Sequence, residues 1–394
     1  IKLGWIQEFD KLVVKYAATV FILDTFRSSS KLLKTFRGHT NWVNSIDCTT
    51  FNDCQFLCSG SDDQTVRVWD IENSKQIQSF NEHSGHVYCV KFSSYYNHYN
   101  RRNVICSSST DKTIRFWDIQ KNQQFQIYKG HTDAICHIEF SLFNSGRYLC
   151  SGSHDKTICL WDVETSKTLH VFNGHKYDVL CVAISPLQSN SNKNNNIGGN
   201  GYTICSGSCD TTICIWDIET TKQLTVFNGH KSNVWSVKYG PSELGNIGSL
   251  NAILSGSHDK SVRLWDIRSG QQIQMFNGHT NTVYAVEYSP FIVNNIEISD
   301  NSNVICSGSF DNTIRFWDIR SNKNELYVIK GNIREDFGVR CFKFIQVKKK
   351  IKESDITNRD CDSMVLFAFG DKYMQLLFQR YLFIIEQLFL IFLH

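Results

Sequence analysis

Twelve residues, SGSHDKTICLWD at 151–162, recur along this chain at five other places with small changes. The copies are SGSDDQTVRVWD (59–70), SSSTDKTIRFWD (107–118), SGSCDTTICIWD (206–217), SGSHDKSVRLWD (255–266) and SGSFDNTIRFWD (307–318). A second signal precedes each copy: Gly38-His39, Glu82-His83, Gly130-His131, Gly174-His175, Gly229-His230 and Gly278-His279. The tryptophans repeat every 44 to 55 residues, and two spacings are constant. An aspartate stands six residues before each tryptophan, and each tryptophan but the last lies fourteen before the next loop histidine. Repeats of this length build stacked supersecondary units, in which each unit buries its core against its neighbours.

The residues within one period spell four strands. TIRFWD and its relatives place β-branched and aromatic residues in the alternation of a half-buried strand. SGSxD is a tight turn leading into that strand, and WDIxS a second turn leading out to segments such as KQIQSF and QQIQMF. After the Gly-His loop comes one further strand, such as VWSVKY. Large insertions fall between that strand and SGS, at 93–103, 185–203, 239–251 and 289–303. One face of the assembly therefore carries the variable loops, and the opposite face the uniform Gly-His loops and SGSxD turns.

Six copies of Gly-His…Trp-Asp at these spacings resemble the WD40-repeat family over roughly residues 31–378. The resemblance implies an all-β fold, a β-propeller of four-stranded blades around a central channel. It also implies a hydrogen-bonded set in each blade, made of the loop histidine, the first serine of SGS, the turn aspartate and the tryptophan. The sets are His39–Ser59–Asp63–Trp69, His83–Ser107–Asp111–Trp117 and His131–Ser151–Asp155–Trp161. Three more follow: His175–Ser206–Asp210–Trp216, His230–Ser255–Asp259–Trp265 and His279–Ser307–Asp311–Trp317. Serine, histidine and aspartate are also the parts of a hydrolase triad, but a catalytic centre has no use for six copies. These residues are read as framework.

The ends suggest a seventh blade shared between the two termini. GVRCFKF (338–344) and SMVLFAF (363–369) look like its first two strands, and KLLKTF (31–36) like its last. Asp371 aligns with the turn aspartate, but Leu377-Phe378 replaces Trp-Asp, so this blade lacks the hydrogen-bonded set. Residues 372–378 compete with TVFILD (19–24) for the third strand. The expected organisation is an amphipathic helix over 1–18, with Trp5, Phe9, Leu12 and Tyr16 at helical spacing. A propeller follows over 19–378, then an apolar tail over 379–394. Arg380 and Glu386 argue against that tail as a membrane anchor, because a charge near the centre of a spanning helix costs about 2.5–3.5 kcal/mol.

Composition narrows the function classes. A formal net charge of +3 gives no field of the kind nucleic-acid binders carry. The basic run Lys348–Lys350 reads as a solvated loop. The 15 cysteines form no C-x-x-C knuckle, and no secretion signal opens the chain, so reduced thiols in an intracellular protein are expected. No glycine-rich phosphate loop, metal spacing or isolated nucleophile appears, so neither a cofactor nor an enzyme is expected.

Function then belongs where the copies differ. The residue before the turn aspartate varies as Asp62, Thr110, His154, Cys209, His258 and Phe310. The third residue after each loop histidine varies as Trp42, His86, Ala134, Asp178, Asn233 and Thr282. With the exposed-loop aromatic Tyr177, these make a candidate rim for binding proteins or peptides, which the resemblance also implies. Two successive units read Trp-Asp-Ile-Arg, ending in Arg268 and Arg320. Paired boxes of this kind resemble substrate receptors of cullin-RING ubiquitin ligases, in which the arginines contact an adaptor.

Overall fold

The computed structural model describes residues 21–22, 31–51, 54–185, 202–240, 252–289, 291–292, 304–320, 325–331, 338–347, 362–369 and 373–379. The proposed helix at 1–18, the tail beyond 379 and Asp371 lie outside them. The described chain is all-β except for one short helix, Ser94–Asn100, and a helical turn, Asn144–Gly146. Both sit in loops of the insertion face. They pack together where Gly146, at φ +81°, brings its Cα so close to Ser94 that a Cβ would lie 2.0 Å from the hydroxyl.

Six four-stranded antiparallel blades follow one another along the chain. Their innermost strands are Val43–Phe51, Val87–Phe92, Ile135–Phe140, Val179–Ile184, Val234–Tyr239 and Val283–Tyr288. Burial falls outward from each blade's second strand. Val104–Ser109, Thr203–Ser208, Ala252–Ser257 and Val304–Ser309 are buried at every position, whereas the outermost strands, such as Lys75–Phe80, expose part of their length. A second strand lies between two other strands and between two neighbouring blades, which favours apolar or hydrogen-bonded side chains there. Cys58, Cys106, Cys150, Cys205 and Cys306 occupy this layer with no exposure. All described cysteines are free thiols.

Small residues let the blades approach. A Cβ on Gly60, Gly152, Gly207, Gly256 or Gly308 would come within 2.6 to 2.8 Å of a valine on the next inner strand. For Gly308 that valine is Val339. It belongs to a further four-stranded sheet, made of Val339–Val347, Asp362–Phe369, Tyr373–Gln379 and, from the other end of the chain, Lys31–Arg37. Lys31 pairs with Phe378 and Arg37 with Tyr373. Residues 373–379 thus hold the place for which two segments compete in the sequence. Phe21–Ile22 instead pairs in parallel with Phe291–Ile292.

Candidate functional site

In every one of the six blades the same four side chains form one buried chain of hydrogen bonds. His Nδ1 lies 2.7 to 2.9 Å from an Asp Oδ2 in the six sets. His Nε2 lies 2.7 to 2.8 Å from the Ser Oγ. The Trp Nε1–H donates to that same Oγ at 2.8 Å. An indole only donates and a carboxylate only accepts, which orders the whole chain. The indole donates to serine, serine to histidine Nε2, and Nδ1–H to aspartate.

The aspartate is satisfied from several sides. Asp63 also accepts from the Thr65 hydroxyl at 2.7 Å, the Thr65 N–H at 3.0 Å and the Thr40 N–H at 2.9 Å. Burial pushes its carboxyl up, but the bonds from His39, Thr65 and Thr40 outweigh that and hold it well below the usual carboxylate range. The same balance holds at Asp111, Asp155, Asp210, Asp259 and Asp311. Burial lowers the imidazoles of His39, His83 and His230, against the pull of their aspartates.

This is the connectivity of a hydrolase triad, yet it cannot act as one. Every serine of the six sets is fully buried, and its oxygen already accepts an indole N–H. No acyl group can approach such an oxygen.

The two variable positions of each blade, separate in sequence, meet on the uniform face. The N–H of Asp62 donates to the Trp42 carbonyl at 2.9 Å. The equivalent bonds join Thr110 to His86, His154 to Ala134, Cys209 to Asp178, His258 to Asn233 and Phe310 to Thr282. Neighbouring pairs also touch. His86 Nδ1 donates to the Asp62 carbonyl at 2.8 Å, His154 lies 3.9 Å from Asp178, and the rings of Trp42 and Phe310 are 6.4 Å apart. Tyr177 is 58% exposed and offers the largest open aromatic surface of the set. Thr282, by contrast, is buried at 3% exposure, so its side chain is not part of an accessible rim.

Inside the rim a cavity of about 460 Å³ opens into the central channel. Its lining includes residues that the sequence reading passed over: Asn44, Tyr88, His137, Trp235, Tyr284 and Arg340. Most of them stand five residues after a loop histidine. That column varies as freely as the rim columns, and alignment of the repeats would have exposed it. On the opposite face, Arg268 and Arg320 are exposed, and Arg320 closes an ion pair with Asp318 of its own turn at 3.0 Å.

Four-stranded blades, six of them tied by an Asp–His–Ser–Trp chain and ringed by paired variable residues, define a repeat-built propeller. The chain belongs to the WD40 family: the family model (WD domain, G-beta repeat) matches residues 30–70, 74–118, 122–162, 166–217, 221–266 and 270–318. Among similar proteins, a U3 small nucleolar RNA-associated protein 15 homolog of Xenopus tropicalis is 42% identical over 62 residues, 16% of this chain and 12% of the relative. A probable E3 ubiquitin ligase complex SCF subunit, sconB of Arthroderma benhamiae, is 44% identical over 57 residues, 14% of this chain and 8% of the relative. An F-box protein of Saccharomyces cerevisiae is 42% identical over 59 residues, 15% of this chain and 9% of the relative. These alignments span about one or two repeats and a small part of each relative.

Proposed function

We propose that this protein is a non-catalytic scaffold that holds other proteins or peptides on the uniform face of its propeller, without a cofactor. The observation that carries this reading is the contrast between the two kinds of position. The histidine, serine, aspartate and tryptophan of each of the six blades are bonded to one another and largely buried, while the paired rim residues beside them are mostly half-buried or exposed and differ from blade to blade. Aromatic and histidine side chains at such a rim suit protein recognition. With a formal net charge of +3, nucleic acid is not the expected partner.

The sheet shared by the two chain ends is read as a seventh blade that closes the ring, within a propeller over 19–378. The packing of Gly308 on Val339 repeats the blade-to-blade contact found elsewhere, which supports this reading. Free, buried cysteines favour an intracellular location, and no described helix is long and apolar enough to cross a membrane.

A second reading makes the chain a substrate receptor of a cullin-RING ubiquitin ligase. Its support is the exposed pair Arg268 and Arg320, together with the names of the sconB and F-box relatives. The ion pair of Arg320 with Asp318 counts against it, because an adaptor would have to displace that contact. Affinity purification with mass spectrometry decides between them, comparing wild type, Arg268→Ala/Arg320→Ala and Tyr177→Ala/His258→Ala. Loss of partners only with the rim pair supports the scaffold face. Loss of a cullin adaptor only with the arginine pair establishes the ligase reading. Partner sets unchanged by both sink both.

A further inference from the structure

Among the described residues, no carboxylate stands beside Arg340 at the mouth of the channel. Its guanidinium lies 4.0 Å from the ring centre of Trp42 and 5.5 Å from that of Tyr284, and its Nη1 donates to Asn44 Oδ1 at 2.6 Å. The acid nearest in this network is Asp62, but Asn44 stands between them. The Asn44 amide donates to Asp62 Oδ1 at 2.6 Å while its oxygen accepts from Arg340. An amide used at both ends keeps the two charges from pairing directly. No ion pair of Arg340 is found among the described residues, and its Nε is buried with no hydrogen-bond partner.

A second buried donor lies nearby. The Trp235 ring packs 5.0 Å from Tyr284, and its Nε1–H also has no partner among the described residues. Arg Nε and Trp Nε1 can only donate, so two donors that flank one tyrosine in the wall of one cavity are both without an acceptor. Leaving such groups unmet is costly, and native structures rarely do so without a reason. Among the described residues, the rest of the channel does not supply an anion. The deeper charges there are already matched, Lys91 with Glu139 at 2.8 Å, Lys238 with Glu287 at 3.1 Å, and Lys343 with Asp47. His137, whose Nδ1 also faces no partner, is kept neutral by burial, which lowers it to about 3.

We propose that the channel mouth between Arg340 and Trp235 receives a carboxylate side chain from an acidic segment of a partner protein. The carboxylate oxygens accept from Arg340 and Trp235, and Trp42, Tyr284 and Phe310 wall the entry as a linked aromatic group. This rests on the reading of the uniform face as the partner surface and adds the chemistry of the residue bound there.

The test pans a random-peptide phage library against the full chain, then measures fluorescein-labelled copies of the enriched peptides by fluorescence anisotropy. The expected peptides share an Asp or Glu at one position, and its change to Asn or Gln weakens binding about tenfold or more, as for hydrogen bonds to a charged group. Arg340→Gln causes a similar loss on its own, and adds little to the loss caused by the altered peptide. Trp235→Phe keeps an aromatic ring, removes the donor, and weakens binding about threefold to tenfold. Thermal melts of both variants show whether each is folded. Peptides without a shared acid, acidic peptides indifferent to both folded variants, or no enrichment at all overturn the proposal. Peptides that lack an acid but lose binding with Tyr177→Ala/His258→Ala overturn the carboxylate site alone and leave the face reading in place.

Discussion

The Lys91 ammonium of the second blade lies 2.8 Å from the Glu139 carboxylate of the third. Both stand eight residues after a loop histidine, and the same column in chain order reads Asp47, Lys91, Glu139, Ala183, Lys238 and Glu287, with Lys343 on the sheet shared by the chain ends. Signs alternate around this ring, and Lys343 meets Asp47 across the join. An odd number of charged positions cannot alternate without placing two like charges side by side. Ala183 is the neutral member that removes the conflict.

Removal of one charge should therefore cost more than removal of a pair. Burial pushes Glu139 up, but Lys91 and Lys238 outweigh it and hold the carboxyl at about 2. Lys91→Met leaves that carboxylate without its nearest partner and is expected to cost about 2–3 kcal/mol, below the range for fully buried pairs because some solvent reaches it. Lys91→Met/Glu139→Leu should recover most of the loss. Urea denaturation of the four proteins in the cycle measures this, and additive single costs would show that the two groups are not coupled.

Acid should destabilise the fold in two stages. Burial depresses the imidazoles of His39, His83 and His230, and the six set aspartates are also depressed. In both cases the unfolded chain takes up protons first, so stability is complete above the unfolded values and falls as pH drops. The first loss begins near about pH 6.5 with the histidines, and the second near about pH 4 with the aspartates. Melting temperatures at pH 7.5, 6, 5 and 4 follow it; a flat profile down to pH 5 contradicts a set of neutral imidazoles.

The Ser59 hydroxyl accepts from the Trp69 indole and donates to His39 Nε2. Ser59→Ala leaves the Trp69 N–H and the His39 Nε2 unpaired in the core, at an expected cost of about 2–3 kcal/mol. Circular-dichroism melts of Ser59→Ala beside Ser79→Ala, whose hydroxyl donates to exposed Asn81, separate this from a general serine effect. Equal melts for the two would remove the case for the buried chain as a stabilising element.

Two positions depart from the repeat at a cost and should be open to improvement. Ser108 fills the place that glycine takes in the other five copies, and its fully buried hydroxyl has no partner among the described residues. Ser108→Ala is expected to stabilise by about 1 kcal/mol. Thr211 follows its turn aspartate at φ 69°, a left-handed conformation that β-branched residues resist. Thr211→Asn should add about 0.5–1 kcal/mol. Urea midpoints that fall rather than rise would show that each residue makes a contact that outweighs its fault.

The repeated framework was legible in the chain because its demands are local and identical. Every tryptophan of the six sets sits in the same seam between strands, so each of these blades needs the same serine, histidine and aspartate at the same spacing. The rim columns were legible as variation, although Thr282 shows that a variable position need not be an exposed one. The channel mouth was not. Asn44 and Arg340 are 296 residues apart and meet only when the two ends of the chain come together. Repeat sequence by itself determined the blade, since each blade's bonds are made within one period. Tertiary structure alone decided the channel, because its chemistry arises between blades, where hydrogen bonding and charge depend on which strand lies opposite which.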